Sequence, residues 1–206
     1  NRDPHVFVGT NDTAATSGDV SYYQDSPFAS VWTDLDIGAL VGNVAGVATG
    51  GAINDCDVFS LAVSPNFEDD TLVVAVAYDE VNAASYVIAN EGAGIGIANW
   101  DDLEIEDDTG AAIVTITGAS DPVFVEDFDI DDNYELFVGV SGDAHAVSGT
   151  GGVYRISGMG EADDYLLDDI DDDVVSLDSV GDLGSSTLLA GVTGAGPGSI
   201  WYSTDD

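Results

Sequence analysis

Carboxylates cluster in the middle of this chain, where their types and spacing suit the binding of a hard cation. Asp127, Asp129 and Asp131 alternate with other residues, like the first ligands of an EF-hand calcium loop. An EF-hand itself is excluded, because its loop needs Gly at the sixth place, here Asp132, and Glu at the twelfth, here Val138. A looser loop can still gather carboxylate and carbonyl oxygens around Ca²⁺. The sequence therefore predicts a calcium site whose ligands are Asp127, Asp129, Asp131 and Asp132. Hydrated acids that cap turns are the alternative interpretation.

The charge balance is extreme, since 40 acidic residues face two basic ones and the formal net charge is −38. Lysine is absent and the arginines are Arg2 and Arg155, so almost no carboxylate has a cation of the protein to pair with. Counterions or bound divalent cations must relieve the repulsion. Nucleic acid and anionic membrane surfaces are excluded as partners, because proteins bind both through Lys and Arg. No apolar run reaches the roughly 18 residues of a membrane span.

No set of catalytic residues can be assembled from the sequence. His5 and His145 are far apart in the chain, Gly-x-Ser-x-Gly is missing, and no lysine is available as a base. Cys56 is the only cysteine, and its position beside a strand predicts a small buried apolar residue. Asn11 opens the triplet Asn-Asp-Thr and is predicted as an N-glycosylation acceptor in a loop.

An internal repeat must position these residues. Four short apolar segments share one pattern, and a strand carrying an aromatic residue follows each of them after a turn of small residues. The apolar segments are His5–Thr10, Thr71–Ala77, Glu135–Val140 and Thr187–Val192, and the aromatic strands are Asp19–Tyr23, Ser85–Ile88, Gly152–Arg155 and Ser199–Ser203. Small residues recur in the apolar segments, as expected where stacked sheets approach closely; they are Gly9, Ala75, Gly139 and Gly191. Such repeats bury their faces only against their neighbours.

Two further strands complete most copies. Leading strands precede the apolar segments at Val58–Val63, Val123–Phe128 and Val174–Leu177, and outer strands follow the aromatic ones at Ser30–Leu35, Ile97–Leu103 and Tyr165–Asp168. Residues 39–55 and 104–120 are predicted as loop insertions. Because a β-propeller blade has four strands, the sequence predicts an all-β, propeller-like array of about four four-stranded blades with incomplete terminal blades. The predicted units are 1–55, 56–120, 121–172 and 173–206. Tandem β-sandwiches are the alternative fold.

Two segments carry a family resemblance. The run Ala62–Val74, with Ser-Pro-Asn-Phe inside it and Asp-Thr-Leu after that, resembles the linker of extracellular Asp-box (BNR or sortilin-type) β-propellers. Gly198–Asp206 is similar to the strand that enters an Asp box, although the full Ser-x-Asp-x-Gly-x-x-Trp box is absent. The resemblance implies an extracellular or cell-surface protein, in a family that includes sialidases, xyloglucan hydrolases, sortilin-like receptors and surface-layer proteins. A sialidase is excluded, because that family binds the carboxylate of its substrate through three arginines and this chain has two.

These observations favour a non-catalytic extracellular structural protein, a subunit of a surface layer, sheath or filament whose acidic surface is bridged by divalent cations. The alternative is a carbohydrate-binding or glycan-hydrolysing propeller, because aromatic residues recur along the strands. We expect most of that aromatic set to be core residues; its members are Tyr22, Tyr23, Trp32, Trp100, Tyr154, Trp201 and Tyr202. Since the first and last copies lack strands, we expect another copy, a partner chain or further sequence to supply them.

Overall fold

The structure, a computed structural model, describes residues 5–11, 18–25, 31–37, 56–79, 84–91, 100–103, 105, 115–143, 151–158, 162–163, 172–182, 184–193 and 198–204. Within these ranges the chain is all-β, with 14 strands arranged in four antiparallel sheets and one short helix. None of the four sheets closes on itself. The all-β class predicted from the alternation of apolar residues is therefore confirmed.

The strands of each sheet follow one another in chain order. Sheet 1 contains β1 (His5–Gly9), β2 (Val20–Gln24) and β3 (Val31–Asp34). Sheet 2 contains β4 (Cys56–Val63), β5 (Val73–Asp79), β6 (Ala84–Asn90) and β7 (Trp100–Asp102), with helix α1 (Phe67–Asp70) between its first two strands. Sheet 3 contains β8 (Thr115–Phe124), β9 (Leu136–Asp143), β10 (Gly152–Ile156) and β11 (Ala162–Asp163). Sheet 4 contains β12 (Asp173–Val180), β13 (Thr187–Thr193) and β14 (Ser199–Thr204).

The predicted strands that lie within the described residues match this order, with two corrections. The leading strand expected at Val123–Phe128 is β8, which begins at Thr115, so residues 115–120 belong to a strand and the third sheet starts before residue 121. Helix α1 was not predicted, because a single turn of four residues carries no helical periodicity. The outer strand expected at Tyr165–Asp168 lies outside the described residues, and the strand found nearest to it is β11.

Consecutive sheets stack on one another. The leading strand β4 lies beside β8, β8 lies beside β12, and β1 contacts β4. Glycines permit this approach, since a Cβ built on Gly9 would lie 2.5 Å from Cγ1 of Val58, and one on Gly139 would lie 2.5 Å from Cγ1 of Val174. The predicted role of small residues is confirmed at these two positions.

Ala75 was wrongly grouped with those glycines. The pairing of Ser60 with Val76 in sheet 2 corresponds to the pairing of Ser176 with Gly191 in sheet 4, because each follows the bulge of its leading strand. The residue at the glycine position of β5 is therefore Val76, and Ala75 points to the opposite face.

Two apolar cores result from the stacking. The first joins sheets 1 and 2, and the second runs through sheets 2, 3 and 4. Strand β5 serves both, because Ala75 and Ala77 belong to the first core whereas Val74 and Val76 belong to the second. A strand that is apolar on both faces was predicted to be buried on both sides, and β5 confirms it.

Candidate functional site

The linker between β4 and β5 is the first element of the candidate site. Phe67 is buried and its ring centroid lies 5.2 Å from that of Phe7, which fixes the linker against sheet 1. The Asp70 carboxylate accepts hydrogen bonds from the Ser64 hydroxyl and, at 3.0 Å, from the backbone N–H of Leu72. Asp70 therefore closes the turn that leads into β5.

The linker between β8 and β9 occupies the same place in sheet 3. Phe128 is buried, and Oδ1 of Asp129 accepts the backbone N–H groups of Asp131 at 2.9 Å and Asp132 at 3.2 Å. Nδ2 of Asn133 donates to the carbonyl of Asp127 at 3.2 Å, while its Oδ1 is buried without a hydrogen-bond partner. The hydrogen bonds of Asp129 thus follow the turn-capping interpretation of this acidic loop.

The two linkers meet around an open cavity of about 290 Å³. Nδ2 of Asn66, in the sheet 2 linker, donates to the carbonyl of Phe128 in the sheet 3 linker and ties them together. Side chains of both linkers line the cavity, namely Asn66, Asp69, Asp70, Asp129, Ile130 and Asp131. Two of the four predicted calcium ligands, Asp129 and Asp131, therefore face two acids of the preceding sheet, whereas Asp127 and Asp132 do not line the cavity.

The electrostatic field at this end of the molecule is negative. Burial raises the pKa of Glu91 above its ordinary value, and the charges of Asp101, Asp70 and Asp131 raise it further. Glu91 directly follows β6 and was missed from the sequence, because a single acid after a strand has no distinguishing spacing. In the part of the chain that the structure describes, no group of three or more His, Cys, Asp or Glu side chains is arranged to hold a metal ion. The region concentrates negative charge and oxygen donors, and the calcium site stays a prediction.

The remaining predicted residues have simpler surroundings. Asn11 is exposed after β1, as its predicted loop position requires, while the other two residues of its triplet lie outside the described ranges. Cys56 is buried, and burial raises the pKa of its thiol to about 12, which leaves it protonated. His5 stacks on Tyr22 and its Nδ1 lies 2.9 Å from the tyrosine hydroxyl. His145 lies outside the described residues.

The aromatic set divides between the core and the surface. Tyr22, Trp100 and Tyr154 are buried, as predicted. Three others are exposed, namely Trp32, Trp201 and Tyr202. Tyr23 is half-buried and its ring lies 5.1 Å from that of Trp32. The prediction that most of the set is core is wrong for the two terminal sheets, each of which packs on another sheet on one side only in the described part of the chain.

The exposed apolar surface has the same distribution. Among the described residues, 11 large hydrophobic side chains are exposed. Only Val63 belongs to an internal sheet, and all the others lie on sheets 1 and 4. The exposed apolar side chains of the described residues are thus concentrated on the two terminal sheets.

Comparison of the chain with family models, with curated proteins and with solved structures found no match in any of the three. No helix in the described part of the chain is long and apolar enough to cross a membrane.

Proposed function

We propose that this chain is a non-catalytic structural subunit of an extracellular surface assembly, such as a layer, sheath or filament. The observation that carries the proposal is the acidic cavity between the linkers of sheets 2 and 3. It lies on a molecule that has two basic residues against 40 acidic ones. Acidic regions of two copies repel each other where they meet, so divalent ions that bridge those regions should strengthen the assembly.

We further propose that the four sheets are propeller-type blades of the Asp-box kind. Three observations support this finer assignment. Strands follow chain order in each sheet, the leading strands β4, β8 and β12 lie side by side, and each sheet packs face to face on the next. Neighbouring innermost strands are also joined by a hydrogen bond of 2.8 Å between the hydroxyls of Ser60 and Ser120. These are features of blades around a common axis.

Ca²⁺ is the proposed cation, because carboxylate and carbonyl oxygens are the ligands it prefers and its coordination shell tolerates flexible loops. Asp69, Asp129 and Asp131 supply carboxylates at the cavity. Binding there would join the linkers of two sheets and relieve the repulsion among the carboxylates that line the cavity.

Thermal unfolding tests this part of the proposal. The chain is melted in EDTA and in millimolar Ca²⁺ at matched ionic strength, beside Asp131→Asn and the control Asp178→Asn, whose side chain is exposed in β12. A cation bound only by the folded chain adds roughly 2.7 kcal/mol at a hundredfold excess over its Kd. We expect Ca²⁺ to raise the midpoint of the parent chain and of Asp178→Asn, and to raise that of Asp131→Asn less. Equal midpoints with and without Ca²⁺ in the parent chain would refute the cation site.

A glycan-binding or glycan-hydrolysing propeller is the second candidate, because Trp32, Trp201 and Tyr202 are exposed and aromatic faces stack on sugars. Those side chains lie on sheet faces, and no aromatic side chain lines the acidic cavity. The structural role is therefore favoured. Retardation of the chain by a polysaccharide in native gels, lost in Trp32→Ala, would support the second candidate instead.

A further inference from the structure

Sheet 4 presents one apolar face to solvent, here called the front face. Leu189 pairs with Tyr202 and Gly191 pairs with Ile200 across β13 and β14, so these four residues share a face. Leu189, Tyr202 and Ile200 are 40%, 73% and 80% exposed. The alternate residues of β13 are buried in the core shared with sheet 3; they are Leu188, Ala190 and Val192.

Sheet 1 also presents an apolar face to solvent, at the other end of the stack; it is here called the back face. Val6 pairs with Tyr23, which pairs with Trp32, and Val8 lies on the same side. Val6, Val8 and Trp32 are 45%, 40% and 53% exposed. The other side of β1 packs on sheet 2 through Phe7 and Gly9, so the back face is the side turned away from the stack.

Inside the chain, the front of each sheet meets the back of the next. Gly139 lies on the front of sheet 3 and receives Val174 of sheet 4, just as Gly9 on the front of sheet 1 receives Val58 of sheet 2. Gly191 has the same place in β13, next to a valine as Gly139 is, but the atoms near its Cβ position belong to Ser176 of its own sheet. The front face of sheet 4 thus has the features of an internal sheet contact, and no other sheet among the described residues covers it.

We propose that this missing neighbour is a second copy of the chain, whose back face docks on the front face in a head-to-tail contact. The contact continues the front-to-back order that the chain already uses between its own sheets. In the described strands, the exposed carboxylates on these faces are Asp178 on the front and Asp34 on the back, so these faces let two highly acidic copies approach with little repulsion. Since a head-to-tail contact joins different surfaces, it propagates into an open stack or closes into a ring.

The inference rests on the proposed structural role, and its test is made without divalent cations so that the two fail separately. Sedimentation velocity in EDTA and moderate NaCl compares the parent chain with two variants. Ile200→Asp places a charge on the front face, and Trp32→Asp places a charge on the back face. Val63→Asp is the matched control, because Val63 is exposed on sheet 2 outside both faces. Circular dichroism checks folding, and Ile200→Thr and Trp32→Thr replace any Asp variant that unfolds.

We expect the parent chain and Val63→Asp to form species larger than the monomer as concentration rises. Each face variant alone should stay monomeric, and an equimolar mixture of the two should form a one-to-one dimer through the intact front of one and the intact back of the other. A parent chain that stays monomeric, a mixture that stays monomeric, or Trp32→Asp dimerising alone through two front faces would overturn the head-to-tail contact. Assembly of the parent chain only on addition of Ca²⁺ would also overturn it, while leaving the proposed function standing.

Discussion

Asp19 should make this protein less stable as the pH rises, which is the reverse of the usual behaviour of an aspartate. Its Oδ1 accepts the backbone N–H groups of Val20 at 2.7 Å and Ile37 at 2.9 Å at the edge of sheet 1. Burial, followed by a hydrogen bond with the Asp34 side chain, raises the pKa of Asp19 from 3.8 to about 7, although the two backbone hydrogen bonds oppose the rise. Below about pH 7 the folded chain therefore keeps this carboxyl group protonated, and the proton can be donated to Asp34.

The sign and size of the effect follow from linkage. In the unfolded chain the group loses its proton near pH 3.8, so its stabilising contribution is complete below that pH and is lost as the pH rises to about 7. At about 1.36 kcal/mol per pKa unit, the full rise corresponds to roughly 4 kcal/mol. Because Asp19 is only half-buried, solvent screening reduces the expected loss to ~1–2 kcal/mol.

Urea unfolding of Asp19→Asn at pH 5 and pH 8, at constant ionic strength, measures the effect. The amide retains an Oδ1 acceptor for both backbone groups and a donor for Asp34, but does not titrate. We expect the variant to exceed the parent's free energy of unfolding slightly at pH 5, where the loss has begun, and by ~1–2 kcal/mol at pH 8, where it is complete. Asp36→Asn, an exposed neighbour at positive φ, controls for the loss of one charge. Equal gains in the two variants at pH 8 would refute the reasoning.

Four further outcomes are expected. Gly139→Ala should lower the free energy of unfolding by about 1–3 kcal/mol, because its Cβ would strike Val174, whereas Gly191→Ala meets only a rotatable serine hydroxyl; equal losses in urea unfolding would contradict this. Trp100→Phe should cost about 1–3 kcal/mol, since the buried Nε1–H donates to the Leu35 carbonyl at 2.8 Å; an unchanged denaturation midpoint would contradict that role. Asn66→Ala should cost roughly 1 kcal/mol by freeing the two linkers from each other, and no loss in thermal unfolding would argue against the link. The Cys56 thiol should react with a disulfide reagent only as fast as the chain unfolds, and rapid labelling of the native protein would show that it is accessible.

Much of the fold was predictable because the same pattern of apolar and aromatic strands recurs in each repeat. Strands such as β5 and β9 are apolar runs of the right length, and each core contact repeats the one before. The predictions that failed concerned the boundaries of strands and the register of their pairing. Strand β8 begins earlier than its apolar pattern, because its first half contains Gly118 and Ala119 around a bulge, and small residues resemble a loop. Ala75 was placed on the wrong face because a bulge shifts the pairing by one residue, and bulges have no sequence signal of their own.

The candidate site was predicted only in part. Asp129 and Asp131 were identified from their spacing within one linker. Their neighbour Asp69 belongs to another repeat, and only the stacking of sheets 2 and 3 brings it to the same cavity. The raised pKa of Asp19 could not be predicted either, because it arises first from burial in the fold and then from Asp34, which the pairing of β2 with β3 brings close.

The sharing of β5 between two cores means that the repeats are not autonomous folding units. If residues 5–37 were removed, one side of sheet 2 would no longer be covered by sheet 1. The side chains of Val73, Ala75 and Ala77 would then be exposed to solvent. Each sheet is thus held by its neighbours, and disorder should spread inward from the two ends like the fraying of a stack whose stability is a sum of nearest-neighbour terms. In such a system the sheets with one covered face are the weakest, and every additional contact at an end protects the whole array.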